Sequence, residues 1–142
     1  MSVEDIVSRS PEDTHALARR LLARLPGRAV LALHGDLGSG KTCFVQGLAR
    51  ALGIRRAVTS PSFTMINEYP GTRPLCHIDL YRIRGPDEAL SLGLEEYLHA
   101  DWITAIEWAE RAGDLIPRQA IHLHFARAAD PDERTIRLVY PD

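Results

Sequence analysis

The stretch "LALHGDLGSGKTCF", Leu31 to Phe44, decides the fold. Gly35, Gly40, Lys41 and Thr42 fill the fixed positions of G-x-x-x-x-G-K-[ST]. An apolar, partly β-branched run precedes the glycines and a helix-forming run follows them, so the stretch reads as strand, loop, helix. Glycines let the backbone curl so that successive N–H groups point inward. The helix beginning near Lys41 turns unpaired N–H groups and a positive dipole end toward the same point. Such a cradle suits a polyphosphate: Gly35, Gly38, Ser39 and Gly40 shape it, Lys41 reaches the β- and γ-phosphates, and Thr42 offers a hydroxyl to Mg²⁺. A chance match in a chain of this length has a probability of roughly 0.5%, taking glycine at about 7% of residues.

Lys41 is also the only lysine among 17 basic residues. An ammonium is a compact point charge that fits between two phosphates, whereas guanidinium is a planar fork. Arginine serves wherever charge alone is needed, and lysine stays where shape matters.

Around this centre, the spacing predicts one α/β domain over residues 1–142. Ser10 reads as an N-cap before Pro11, opening a helix to about Leu25. "RAVLALH" (Arg28 to His34) is a buried strand, and the helix after the loop runs to about Leu52, stopped by Gly53. "FTMINEY" and "PLCHIDLY" form a hairpin about Pro70–Thr72. "PDEALSLGLEEYLH" is helical with a break near Gly93. "WITAIEW" is a buried strand, and "AIHLHFARA" with "RTIRLVY" forms a second hairpin. The expected fold is a P-loop NTPase-like domain, its mixed parallel/antiparallel sheet flanked by helices.

Composition narrows the function classes. Net charge is -2 with 45% apolar residues, so direct tRNA or other nucleic-acid binding by the chain alone is not expected. No apolar run reaches membrane-spanning length, and "MSVEDIVSRSPEDTH" has no signal-like apolar region, so a cytoplasmic protein is expected. Cys43 and Cys76 then read as reduced thiols.

"HIDLYR" places Asp79 at the end of an apolar strand, where phosphate-loop enzymes need an acid on the Mg²⁺ shell or the Thr hydroxyl; a turn-capping aspartate is the other reading. "AIEWAER" places Glu107 at the end of another apolar run, either to reach Mg²⁺ or the attacking water, or as a solvated charge. Thr59, Ser60, Ser62 and Thr64 suit a segment that senses the γ-phosphate, and equally an ordinary turn. Trp108 suits base stacking or the core, and Arg82 and Arg84 suit phosphate or plain surface. The histidines have no ligand or triad spacing, although His77 shares a strand face with Asp79.

In this order and at these separations, "GDLGSGKT", "VTSPSFTMINEY", "HIDLYR" and "IEWAER" resemble the TsaE (YjeE) family of small bacterial ATPases of tRNA threonylcarbamoyladenosine (t6A) synthesis. The resemblance runs from "EDTHALA" to "RTIRL". It implies ATP held by Gly38 to Cys43, Mg²⁺ on Thr42 and Glu107, and Asp79 as the motif acid, so that Lys41, Asp79 and Glu107 form the catalytic set. It further implies that Thr14 contacts the nucleotide, that Arg134 faces the base, and that the partners are the transferase subunits TsaD and TsaB. Cys43 stands where the family commonly has a second Thr; a thiol is a poorer donor, so somewhat weaker nucleotide binding is expected. Ser62 replaces a Thr and keeps its hydroxyl. A small-molecule kinase and a nucleotide-gated binding module are the alternatives.

Overall fold

The structure, a computed structural model, describes residues 2–59 and 65–142. Its elements are β1 (Ser2–Ser8), α1 (Pro11–Leu22), β2 (Ala29–His34), α2 (Lys41–Ala51), β3 (Ile66–Tyr69), β4 (Leu75–Asp79), α3 (Pro86–Ser91), α4 (Leu94–Leu98), β5 (Ile103–Glu107), a 3-10 segment Ala109–Leu115 kinked at Gly113, β6 (Ile121–Arg127) and β7 (Arg134–Tyr140).

The helix starts follow from local chemistry. Ser10 Oγ accepts from Asp13 N at 3.1 Å while Asp13 Oδ2 accepts from Arg9 N at 2.9 Å. This reciprocal cap, with Pro11 in the first turn, fixes the start of α1. The helix ends at Leu22 rather than near Leu25. Gly93, left-handed at φ 76°, divides α3 from α4 as the sequence predicts.

All seven strands form one sheet in the order β1-β7-β6-β2-β5-β4-β3. Its centre is parallel: β2 pairs with β5 and β6, and β4 pairs with β5. The predicted hairpins β3–β4 and β6–β7 are antiparallel, and β1 adds antiparallel to β7. The sheet is therefore mixed and flanked by helices, as the fold class requires. β1 is an element the sequence reading omitted.

Both faces of the central strands are buried, hence their near-continuous apolar runs. Leu31 and Leu33 of β2 join Leu17, Leu21, Phe44 and Leu48 of α1 and α2 on one face. Val30 and Ala32 join Ile78, Ala89, Leu94 and Ala112 on the other. Strand alternation then decides the site: Leu75 and Ile103 point into the α1–α2 layer, so His77, Asp79 and Glu107 point to that side as well, toward the start of α2.

Candidate functional site

The loop from Gly35 to Gly40 crosses from β2 to α2 over the end of the β6–β7 hairpin. Gly35, Gly38 and Gly40 have φ of 145°, 75° and 110°. A Cβ on Gly35 would lie 2.6 Å from the Phe125 carbonyl oxygen, so backbone passes where a side chain has no room. Gly40 caps α2 and no described side chain caps it, which leaves the first-turn N–H groups for an anion. Ser39 Oγ is buried without a hydrogen-bond partner among the described residues.

Lys41 is 4% exposed. Its ammonium donates to the Gly35 carbonyl and sits 4.0 Å from the centre of the Trp108 ring. Burial pushes its pKa below the ordinary lysine value, while Glu107, Glu110, Asp79 and Asp36 pull it back up. Trp108 holds a left-handed φ of 57° and lies between two cations, with the Arg111 guanidinium 5.1 Å from its ring. It lines the cleft and also packs against the core beneath it.

Thr42 Oγ1 donates to the Glu107 carboxylate, 3.2 and 3.1 Å from its two oxygens. His77 Nε2 lies 2.5 Å from Glu107 Oε2 with both side chains buried. Glu107 is thus no solvated charge: β5 carries it under the first turn of α2. Asp79 is its register neighbour on β4, and Asp79 Oδ1 also accepts from Tyr81 N at 2.9 Å. The strand-end acid both caps a turn and faces the cleft. That cleft, about 520 Å³, is lined by Gly38, Gly40, Lys41, Thr42, Asp79 and Glu107, with Arg82 at its wall. A hydroxyl and two neighbouring carboxylates are the hard oxygen donors that Mg²⁺ selects, so the donor set fits that ion.

Thr14, Cys43 and Arg134 meet elsewhere, around a smaller cavity of about 160 Å³ that shares Gly40 and Cys43 with the cleft. Thr14 Oγ1 is 2.6 Å from Ser8 Oγ, and Arg134 donates to the Pro131 and Glu133 carbonyls. Cys43 and Cys76 are free thiols, and burial pushes that of Cys76 up to about 12. Ser60, Ser62 and Thr64 lie outside the described residues. Thr59 is exposed, and its carbonyl accepts from Asn67 Nδ2 at 3.5 Å. Arg84 makes its described bond through its backbone, to Glu88.

Two groups escaped the sequence reading. Arg127 Nη2 donates to the Leu37 carbonyl at 2.9 Å, against the phosphate loop. The histidines, read as unpaired, include a stack of His34, His122 and His124, where His34 Nε2 is 2.9 Å from His122 Nδ1 and His34 Nδ1 is 3.0 Å from Glu110. The pairing of β2 with β6 makes both, across some 90 residues of sequence.

Among known proteins, the TsaE family, described as "Threonylcarbamoyl adenosine biosynthesis protein TsaE", matches residues 8–136. The chain is 44% identical over 128 residues to the tRNA threonylcarbamoyladenosine biosynthesis protein TsaE of Bacillus subtilis, covering 89% of this chain and 79% of that one. It is 36% identical over 124 residues to the protein of the same name from Treponema pallidum, covering 87% and 92%. The crystal structure of Bacillus subtilis YdiB superposes with a TM-score of 0.85 at 37% identity, covering 99% of this chain and 87% of that one.

Proposed function

Because the chain belongs to the TsaE family of threonylcarbamoyl adenosine biosynthesis proteins, we propose that it is the Mg²⁺-dependent ATPase subunit of cytoplasmic t6A formation in tRNA, working with TsaD and TsaB. The observation that carries the ATPase reading is the Thr42–Glu107–His77 chain, set beside a buried lysine and an uncapped helix start.

In this reading Lys41 exchanges the Gly35 carbonyl and the Trp108 face for β- and γ-phosphate oxygens. The α2 amides and Ser39 Oγ donate to the same phosphates. Thr42, Glu107 and Asp79 would hold Mg²⁺, which when bound would offset the negative charge of the polyphosphate. Glu107, oriented by His77, sits where it can also orient a water. Thr14, Cys43 and Arg134 flank the nucleoside end.

A small-molecule kinase needs a second substrate pocket and a closing lid. Among the described residues the short helices α3 and α4 have six and five residues and are packed into the core through Ala89, Leu94 and Leu98, and neither lines the cleft, which favours the ATPase. A nucleotide-gated binding module has the same site without turnover.

The test is steady-state phosphate release with Mg²⁺ or with chelator, with and without TsaD–TsaB. Slow release by the chain alone, lost with chelator and raised by the pair well above the sum of the parts, is expected. A high rate unchanged by the pair would overturn the partner reading. Release that accelerates only with a small hydroxylated acceptor would establish the kinase, and tight binding with no release under any condition the binding module.

A further inference from the structure

The β6–β7 hairpin forms the outer wall of the phosphate loop. Phe125 backs Gly35, and the aliphatic part of Arg134 lies 3.8 Å from where a Gly40 Cβ would stand. Arg127 backs Gly38: its guanidinium fills the space that a Gly38 side chain would take. The same group donates from Nη2 to the Leu37 carbonyl at 2.9 Å. Gly38 lines the cleft, and Arg127 does not.

These contacts fix one peptide. The Leu37–Gly38 bond is trans, and in a trans peptide C=O and N–H point in opposite directions. A Leu37 carbonyl held outward by Arg127 turns the Gly38 N–H inward. Gly38, at φ 75°, has no side chain to oppose a rotation of that peptide, so the outside anchor does what a Cβ cannot. We infer that Arg127 is a positioning residue: it holds the Leu37–Gly38 peptide so that the Gly38 amide is already aimed at the phosphates before they arrive. The inference rests on the nucleotide-site reading above. Pre-organised donors cost little reorganisation on binding. Because the amide meets phosphate in the ground state as well as during reaction, its loss raises KM and leaves kcat in place.

The experiment compares Arg127→Met, which keeps the stem and removes the donor, with Arg127→Lys, which restores a donor and a charge. Readouts are the Kd for ATP and ADP, KM and kcat of phosphate release, Tm, and the amide cross-peak of Gly38 in the nucleotide-free protein. Arg127→Met should weaken ATP and ADP about tenfold, raise KM in step with kcat unchanged, keep the parent Tm and broaden the Gly38 cross-peak. Arg127→Lys should recover most of the affinity and the sharp cross-peak. Parent-like binding by Arg127→Met, a Tm loss in step with affinity, or no recovery in Arg127→Lys overturns the inference. Failure of the underlying reading looks different: the unaltered chain would not bind ATP, or Lys41→Ala would bind it equally well. The Gly38 cross-peak tests the anchor even then, since it needs no nucleotide.

Discussion

His77 Nε2 and Glu107 Oε2 lie 2.5 Å apart, on neighbouring parallel strands and both buried. The imidazole fixes which way the carboxylate faces, and Thr42 closes on it from α2. In the proposed reading, where Glu107 would hold Mg²⁺, losing a partner of this kind typically costs 10–100-fold. His77→Leu is expected to cut phosphate release by about that factor while ATP binding changes little. His77→Gln, whose amide reaches the Nε2 position, should recover part of the rate. Glu107→Ala should lose release at least as completely and keep much of ATP binding. Equal loss of binding and release in Glu107→Ala, with a matching fall in Tm, would make Glu107 a folding residue instead.

Lys41→Arg keeps the charge and changes its shape. Lys41 is buried between the Gly35 carbonyl and the face of Trp108, a slot sized for an ammonium. A guanidinium there displaces the indole or misses the phosphates. Nucleotide affinity should fall by the ~1–3 kcal/mol of a misplaced charged hydrogen bond. Calorimetric titration of both proteins with ATP checks it, and parent-like affinity in the arginine variant ends the shape argument for the single lysine.

Much of this was legible in the sequence, for local reasons. The glycine loop, the Gly93 break and the two hairpins are each set within a few residues by turn and cap chemistry. β1 was not legible because it is an edge strand with Val3 and Val7 exposed, so its alternation carries little contrast between core and solvent. The burial of Glu107 was not legible because its partners Thr42 and His77 are 65 and 30 residues away. Arg127 and the histidine stack depend on the register of β6 against β2, which no local pattern specifies.

That stack makes stability depend on pH. His122 and His124 are held below the ordinary histidine value of 6.5, first by burial and then by neighbouring rings, with Arg137 adding to the effect at His124 and Glu110 opposing it. With the folded pKa depressed, the unfolded chain binds more protons just below pH 6.5, so stability rises with pH there. The contribution is complete above that value and is lost as pH falls through the folded pKa values. Thermal unfolding followed from about pH 7.5 to about pH 5.5, where histidine titrates, should show Tm falling with acidification. A His122→Asn, His124→Gln double variant should show a shallower slope. An unchanged slope would place the acid sensitivity outside the stack.

Trp108 should report nucleotide arrival directly. Its ring faces the Lys41 ammonium at 4.0 Å, a contact of about 0.5–2 kcal/mol depending on how far it is desolvated. Phosphate drawing Lys41 forward would break that contact and change the polarity around the indole. The other tryptophan, Trp102, stacks on Tyr97 and donates to the Tyr97 carbonyl; it does not line the cleft. ATP titration should therefore change tryptophan emission in the parent and in Trp102→Phe, and leave Trp108→Phe nearly silent while it still binds ATP by calorimetry. ADP should give a smaller change than ATP, because it lacks the γ-phosphate to which Lys41 also reaches. A signal that survives in Trp108→Phe and disappears in Trp102→Phe would mean that the rearrangement lies at α4 and the start of β5, and that Lys41 keeps its place against the indole when nucleotide binds.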